Sequence, residues 1–363
     1  MNRREIRKKL KQFGNDALTN YKRYYIGRDW RIFAEKYTKQ KSLTEEQKRQ
    51  IMERYAPYSK VTTVFHEYYT EKTGVFSVNY IPDDLYYNYI DRYYNDWDMA
   101  TYYDNKCLYT SYFKNVRHPD TVAVRMNGLW FDSDMALLDT DALQNKLEHE
   151  AAVFIKIATE SDGGHGVFYL ENQDIGEKAM DILSRIHADV IIQRPVIQHE
   201  QLARFNEKSV NSIRVLTLLT QEGPRVYSCL LRAGVNGARV DNSSSGGVSC
   251  GIDEEGKLRK YSYTNFGDSF ETHPGTDIVY LGTAVPGMDK VKDAALRLAC
   301  QMPHFRLISW DFAVDREEEP VLIEANLKYG GMDFHQLNNG PLFGEDADRI
   351  LNEVFGMQSA QNE

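Results

Sequence analysis

The sequence predicts a protein of the α/β class, in its α+β form, in which antiparallel strands are combined with helices. Two apolar runs, Val153–Ala158 and Val167–Leu170, flank a glycine-rich loop, which is typical of a β-hairpin. A second hairpin is predicted at 305–315 and 320–328, where a charged turn separates two apolar runs. Helical periodicity predicts a helix from Met288 to Cys300 between them. Hairpins combined with helices in this way favour two α/β lobes.

The sequence predicts that the N-terminal part of the chain, up to about residue 104, is mainly helical. Apolar residues of its first segment recur at helical spacing among arginines and lysines: Ile6, Leu10, Phe13 and Ala17. Such a basic amphipathic helix either contacts an anionic membrane surface or packs on its own protein. Thr44 is expected to cap a second helix, which ends before Pro57.

Tyrosines are dense between Tyr55 and Tyr112. Aromatic faces with hydroxyl tips suit stacking on sugar rings or contact with a partner. The alternative is that these tyrosines fill a helical core whose edges are wet.

Composition predicts a soluble enzyme of two or three lobes, since the 363 residues are 42% hydrophobic and 27% charged. A net charge of −9 argues against general nucleic-acid binding. The four cysteines lack the paired spacing of a metal site and fit reduced thiols. No apolar run approaches the ~20 residues that span a bilayer, and no secretory signal is evident. We therefore expect a cytoplasmic protein, with peripheral contact at the inner face of the membrane if the basic helix binds lipid.

Three oxygen-bearing side chains lie on the strands of the C-terminal hairpin. Asp311 lies in the apolar run Trp310–Asp315, and Glu324 and Asn326 lie in the run Val321–Asn326. Because strand side chains alternate, Glu324 and Asn326 share a face, and the turn brings Asp311 beside them. Two carboxylates and an amide oxygen suit a hard cation such as Mg²⁺, which takes further ligands from nucleotide phosphates. The alternative is that the acids are strand caps or salt-bridge partners.

The first hairpin combines a lysine with glycines. Lys156 is the charged residue of its strand, and the following loop contains Ser161, Gly163, Gly164, His165 and Gly166. A buried lysine requires an anion, and glycines let backbone N–H groups approach a phosphate closely. Glycines also occur in hairpin turns for steric reasons alone. The lysine and the loop together predict a phosphate site.

These residues resemble the ATP-grasp superfamily and, within it, the sugar-transfer-associated ATP-grasp family, over roughly residues 100–355. The resemblance implies an ATP-grasp fold that closes on ATP with Mg²⁺. The superfamily's phosphate-gripping lysines and metal ligands fall on these positions: Lys106, Lys156, Asp311, Glu324 and Asn326.

The resemblance also implies an adenine-binding hinge, which usually opens with Glu and ends with a ribose-binding Glu. Here Gln193 stands at the first position and Glu200 at the second, with Arg194 and Val196 between them. The substitution at Gln193 departs from the pattern of the superfamily.

Three segments are expected from this comparison. They are an N-terminal helical, tyrosine-rich lobe at 1–104, a lid at 105–192 with a helix from Asp141 to His149, and a core with the metal site at 193–363. The first segment stands where many ATP-grasp ligases have a Rossmann-like domain, so acceptor recognition is expected to differ from theirs.

Two arginines lie in predicted core strands. Arg214 and Arg232 have the planar fork that binds a carboxylate or phosphate through two parallel hydrogen bonds, and each could instead be a structural ion-pair residue. The loop from Asp241 to Gly247 is either a mobile surface loop or a substrate loop.

The function that the resemblance implies is ATP-dependent ligation of a carboxylate to an amine through an acyl phosphate. We expect small-molecule sugar-containing or amino-acid substrates in cell-surface polysaccharide biosynthesis, with Lys156, Arg214 and Arg232 in catalytic roles. One alternative is a kinase that phosphorylates a sugar or polyol hydroxyl, for which the candidate bases are His199, His273 and His335. Another is a nucleotide-sensing subunit without catalytic activity. The sequence does not predict the oligomeric state.

Overall fold

The computed structural model describes residues 27–40, 42–159, 166–239, 241 and 246–360, with side chains up to residue 356. The chain divides into two compact units, one comprising Met1–Tyr93 with Gly340–Glu363 and the other Tyr94–Asn339. The amphipathic helix predicted over 6–17 lies outside the described residues. The division into three segments stays a prediction.

The described helices are distributed over both units. They are α1 (27–37), α2 (Glu45–Tyr55), α3 (Val64–Thr73), α4 (Asp83–Leu85), α5 (Asp91–Tyr94), α6 (Trp97–Tyr103), α7 (Tyr109–Tyr112), α8 (Thr140–Glu148), α9 (Ile175–Ser184), α10 (Glu200–Ala203), α11 (Met288–Ala299), α12 (Met332–Asn339) and α13 (Ala347–Ala360). A π-helical turn covers Tyr86–Ile90, and 3₁₀ turns cover Lys106–Leu108 and Gly344–Asp346. No helix among these described residues is long and apolar enough to cross a bilayer.

The first unit has an aromatic core. Its fully or nearly fully buried tyrosines are Tyr55, Tyr68, Tyr69, Tyr80, Tyr86 and Tyr87. The rings of Tyr69 and Tyr80 stack with centroids 4.9 Å apart, and the Tyr69 hydroxyl donates to Asp83 at 2.7 Å. Buried rings with bonded hydroxyls favour the core interpretation for these side chains over sugar stacking. Tyr102 of the second unit, by contrast, is 78% exposed.

The helix predicted after Thr44 is confirmed as α2. The Thr44 hydroxyl accepts from the Gln47 amide at 3.2 Å, and the Thr44 amide donates to the Gln47 side chain at 2.8 Å. This capping box satisfies two amide groups that the helix itself leaves unbonded, which fixes where the helix begins.

The strands of the second unit form two antiparallel sheets. They are β1 (Thr121–Met126), β2 (Leu129–Phe131), β3 (Leu137–Leu138), β4 (Ala152–Ile157), β5 (Val167–Glu171), β6 (Val190–Gln193), β7 (Ile213–Thr220), β8 (Gly223–Ala233), β9 (Val248–Ile252), β10 (Leu258–Tyr263), β11 (Ser269–Phe270), β12 (Leu307–Val314) and β13 (Pro320–Asn326). The first sheet has the order β3-β2-β1-β6-β4-β5, and the second has the order β11-β10-β9-β8-β7-β12-β13.

One face of the first sheet is covered by α8 and α9. Leu143 of α8 and Ala179 of α9 pack with Val153, Ile155 and Ile192 of the strands in one apolar cluster. Alternation along the strands then directs Lys156 and Gln193 to the opposite face.

The second sheet is covered by helices of different character. Helix α11, predicted from Met288 to Cys300, buries Ala295 and Leu298 in one cluster with Trp310 and Phe312. Helix α12 instead makes polar contacts, with Asn338 donating to Ser249 at 2.8 Å. The mixed helices and antiparallel sheets confirm the predicted α/β class.

Candidate functional site

The acidic side chains of the C-terminal hairpin are brought to one face by the register of β12 and β13. Asp311 lies opposite Glu324, and Ser309 lies opposite Asn326. A bulge follows, because Phe312 pairs with Leu322 and leaves one residue of β13 without a direct partner. Directly paired residues point to the same face, so the three predicted metal ligands share the face opposite the α11 core.

Asp311 is held by both predicted arginines. Arg214 of β7 donates from Nε and from one terminal nitrogen to the two Asp311 oxygens, each at 2.7 Å. Arg232 of β8 adds a third bond to Oδ2 at 3.0 Å. In this structure Arg214 and Arg232 are therefore ion-pair partners of Asp311. Their binding of a substrate carboxylate or phosphate stays a prediction.

The charges of this cluster are set by opposing effects. Burial by itself would raise the pKa of Asp311, but the adjacent Arg214 guanidinium outweighs it and holds the pKa below its usual value. Burial likewise opposes the charge of Arg214, and Asp311 nevertheless keeps the arginine pKa above its usual value. The pair is therefore ionised at neutral pH.

Glu324 pairs with Lys106, the lysine that the resemblance assigned to phosphate. The Lys106 ammonium lies 2.9 Å from Glu324 Oε1. The Lys106 amide donates to the carbonyl of Ala158, the residue that follows β4, at 3.0 Å. This ion pair brings a predicted phosphate residue and a predicted metal ligand together.

Lys156 projects from β4 of the first sheet. Its ammonium donates to the side-chain oxygen of Gln193 at 3.0 Å. Burial, followed by the nearby charge of Lys106, lowers its pKa from 10.5 to about 8. A lysine in this environment gains from an anion that would replace its lost hydration.

Among the residues predicted for the glycine loop, the structure describes Gly166, the last one. This residue has φ of +73°, and a Cβ there would lie 2.7 Å from Ile157 Cδ1, so both backbone and space require glycine. The other predicted loop residues lie outside the described part of the chain: Ser161, Gly163, Gly164 and His165.

The hinge residues follow β6. Gln193 is buried between Lys156 and the carbonyl of Pro119, to which its nitrogen donates at 3.5 Å. The Arg194 side chain is exposed and binds Glu150 at 2.7 and 2.8 Å. Val196 is partly buried, and Glu200 is exposed at the start of α10. Their contacts with a nucleotide stay predictions.

A cavity of about 250 Å³ lies between the two sheets of this unit. Its walls include Lys106, Ile191 and Gln193 on one side and Leu322 and Ile323 on the other. Thr121, Asp132 and Ser133 also line the cavity, so it offers polar groups as well as apolar surface.

The sequence did not predict the partner of Asp241. Its carboxylate accepts from the Ser212 amide at 3.1 Å and also from the Ser212 hydroxyl. Burial would lower the pKa of Arg214, but Asp311, Glu324 and then Asp241 together hold it above its usual value. Ser212 and Asp241 lie 29 residues apart, so spacing along the chain could not have revealed the contact. Residues 242–245 of the same loop lie outside the described residues.

The oxygen donors fit Mg²⁺ in chemical type. Asp311, Glu324 and Asn326 offer two carboxylates and an amide oxygen, and the Asn326 side-chain nitrogen donates to Asp311 Oδ2 at 3.5 Å. Among the described residues, no group of three or more His, Cys, Asp and Glu side chains is arranged to hold a metal. The present geometry is that of carboxylates paired with cations.

Comparison with known proteins was made for sequence and for fold. Residues 86–350 match the family model of the sugar-transfer associated ATP-grasp proteins. No curated protein matches the sequence.

Solved structures of ATP-grasp proteins show distant likeness. The ATP-grasp ligase PsnB, complexed with a precursor peptide and AMPPNP, is 15% identical over 72% of this chain and 62% of that chain, with a TM-score of 0.42. The D-alanine–D-alanine ligase from Coxiella burnetii is 9% identical, over 71% and 60%, with a TM-score of 0.40. The ADP complex of PurK, N5-carboxyaminoimidazole ribonucleotide synthetase, is 13% identical, over 63% and 46%, with a TM-score of 0.38.

The chain thus spans about half to three fifths of the length of these structures. The family model, in contrast, covers well over half of this chain and contains every residue of the cluster described above. The protein belongs to the sugar-transfer associated ATP-grasp family.

Proposed function

We propose that this protein is an ATP-dependent carboxylate–amine ligase that acts through an acyl phosphate. The observation that carries the proposal is the Lys106–Glu324 ion pair, which brings a predicted phosphate-binding lysine to a predicted metal ligand of the second sheet. Family membership supports ATP as the nucleotide. The proposed substrates are a small-molecule carboxylate and an amine, sugar-containing or derived from an amino acid, in cell-surface polysaccharide biosynthesis.

The proposed reaction has two steps. A carboxylate oxygen attacks the γ-phosphorus of ATP, a new O–P bond forms, and ADP leaves. The amine nitrogen then attacks the acyl carbon, the bond to the phosphate oxygen breaks, and the nitrogen loses a proton. The products are an amide, ADP and phosphate, and no covalent protein nucleophile is required.

The lysines act on the phosphate charge. Lys106 and Lys156 would neutralise negative charge on the transferred phosphoryl group. A phosphate beside Lys156 would favour the protonated form of its ammonium, whose pKa burial has lowered to about 8. Mg²⁺, held by Asp311, Glu324 and Asn326, would supply further charge neutralisation and orient the phosphate oxygens.

The arginines would act on the substrate carboxylate. Asp311 holds Arg214 through a bidentate contact, which fixes the direction of its guanidinium. Arg232 donates to Asp311 Oδ2 through one terminal nitrogen, and we assign it to the substrate carboxylate or the acyl phosphate. Fixed donors need little reorganisation during the reaction.

The kinase alternative receives no support from the three candidate histidines. His273 is buried, and its Nε2 lies 3.1 Å from the carbonyl oxygen of Gly234. His199 accepts a hydrogen bond from the Gln201 amide at the start of α10. His335 is buried against Ser228, and burial lowers its pKa to about 3, so it is a poor base at neutral pH. The kinase therefore enters as an outcome of the test.

The test uses hydroxylamine in place of the unknown amine. The protein would be incubated with ATP, Mg²⁺ and a panel of uronic acids and amino acids, with Lys156→Ala as the matched inactive control. We expect a hydroxamate together with equal amounts of ADP and phosphate. A stable phosphate ester would establish the kinase, and ATP binding without turnover of any compound would favour the nucleotide-sensing subunit.

We also propose peripheral membrane contact through the basic segment that includes Arg3, Arg7 and Lys11. The support is its sequence pattern alone, since the segment lies outside the described residues. Co-sedimentation with anionic vesicles, lost on replacing the basic residues with glutamate and absent with neutral vesicles, is the expected result. Equal sedimentation of both forms would reject the contact.

A further inference from the structure

The predicted metal ligands are neutralised by the cations of the chain itself. Glu324 is paired with Lys106 at 2.9 Å, and Asp311 is paired with Arg214 at 2.7 Å and with Arg232 at 3.0 Å. Each of the two carboxylates is therefore already paired with a cationic side chain of the protein. A divalent cation approaching Glu324 has to compete with the Lys106 ammonium, in a place where burial weakens screening by solvent.

Lys106 is the cation of this cluster whose partner can change. Its side chain is 13% exposed and that of Glu324 is 26% exposed, whereas the Asp311 carboxylate they adjoin is 3% exposed. Lys106 also lies close enough to Lys156 to lower the pKa of that lysine. A phosphate placed between the two lysines would relieve their repulsion and offer Lys106 a second anion.

We propose that Lys106 blocks the metal site until a nucleotide is bound. In the free protein its ammonium neutralises Glu324, and on nucleotide binding it moves to a phosphate and leaves Glu324 available to a divalent cation. The cation then binds to the nucleotide complex much more tightly than to the free protein. The proposal rests on the proposed function, because it assumes that the nucleotide phosphates lie beside Lys106 and Lys156.

The test measures Mn²⁺ binding by electron paramagnetic resonance on nucleotide-free protein. Wild type is expected to bind Mn²⁺ weakly, and Lys106→Met, which keeps length but removes charge, is expected to bind it roughly tenfold more tightly or better. The double variant Lys106→Met/Glu324→Gln should lose this gain. Adding ADP to wild type should increase bound Mn²⁺ beyond what the same ADP binds in solution.

The matched control is Lys290→Met. Lys290 pairs with Glu319 at 2.6 Å, but these side chains are 49% and 39% exposed and lie outside the cluster. The same substitution there should leave Mn²⁺ affinity unchanged. Lys106→Gln provides a second variant, and cooperative thermal unfolding of each variant shows that it is folded.

The outcomes separate the two proposals. Equal Mn²⁺ affinity of nucleotide-free wild type and both Lys106 variants would overturn the blocking role, and so would a gain that survives Glu324→Gln. Absence of ADP binding to wild type would instead overturn the proposed function.

Discussion

At the residue scale, Lys156 has a charge that changes near physiological pH. Burial and the neighbouring Lys106 lower its pKa to about 8, and a bound phosphate would favour its protonated form. We predict that ATP affinity falls as pH rises above about 8, approaching a tenfold loss per pH unit. Calorimetric titration from roughly pH 7 to pH 9.5 measures it.

The control for this pH dependence is Lys156→Met, which should bind ATP weakly with no such fall. An identical pH profile in wild type and variant would contradict the assignment. Stability of the ligand-free protein should depend on pH in the opposite direction. Between about pH 8 and pH 10.5 the unfolded chain holds the Lys156 proton more tightly than the folded protein does. The contribution of Lys156 to the free energy of unfolding therefore rises with pH in this range.

Glu324 allows a test of the metal ligand at the same scale. Glu324→Gln keeps an oxygen but removes the charge, so we expect hydroxamate formation to fall by about 10² or more while unfolding stays cooperative. Glu319→Gln is the matched control, because Glu319 also pairs with a lysine, at 2.6 Å. Wild-type turnover of Glu324→Gln at saturating Mg²⁺ would show that this carboxylate is not needed.

At the element scale, the β4–β5 hairpin depends on Gly166. Alanine there would be strained at φ of +73° and would also lie 2.7 Å from Ile157 Cδ1. We predict that Gly166→Ala lowers the free energy of unfolding by about 2 kcal/mol or more and weakens ATP binding. Thermal melting and ATP titration measure the two effects.

Gly128 separates the two causes, since it has φ of +82° but nothing within 4 Å of a new Cβ. Gly128→Ala should cost about 1 kcal/mol, from backbone strain alone. Adding Ile157→Val to Gly166→Ala should restore part of the loss, because it removes the clashing methyl group. Equal losses in both glycine variants would contradict the steric explanation.

The sequence predicted the elements whose patterns are strong. The strands bearing Lys156, Asp311 and Glu324 were predicted because apolar runs surround these polar residues, and α2 because Thr44 and Gln47 form a capping box. Helix α12 was missed, because its sequence appears polar. Its buried Asn338 is stabilised by Ser249 of another element, which no local pattern reveals.

At the scale of the whole molecule, the site depends on strand register, which the sequence left open. Spacing predicted that Glu324 and Asn326 share a face, but the pairing of Asp311 with Arg214 follows from their opposite positions on β12 and β7. The two residues are far apart in sequence, so only the assembled sheet decides between an ion pair and a free metal ligand.

ATP binding should stabilise the whole protein. A ligand that binds only the folded state adds about 2.7 kcal/mol at a concentration of 100 times its Kd, so ATP with Mg²⁺ should raise Tm in wild type. Lys156→Ala should abolish this increase while leaving a cooperative transition, and Lys290→Ala should retain it. An unchanged ATP-dependent shift in Lys156→Ala would exclude this lysine from the nucleotide site.

The most direct test of the proposed ligase follows oxygen from the substrate carboxylate into phosphate. With an ¹⁸O-labelled carboxylate substrate, attack on the γ-phosphorus and later cleavage at the acyl carbon leave one ¹⁸O in the released phosphate. We predict this labelled phosphate, together with ADP and a new amide, by ³¹P NMR and mass spectrometry. A stable phosphate ester with no free phosphate would contradict the ligase and establish phosphoryl transfer to a hydroxyl.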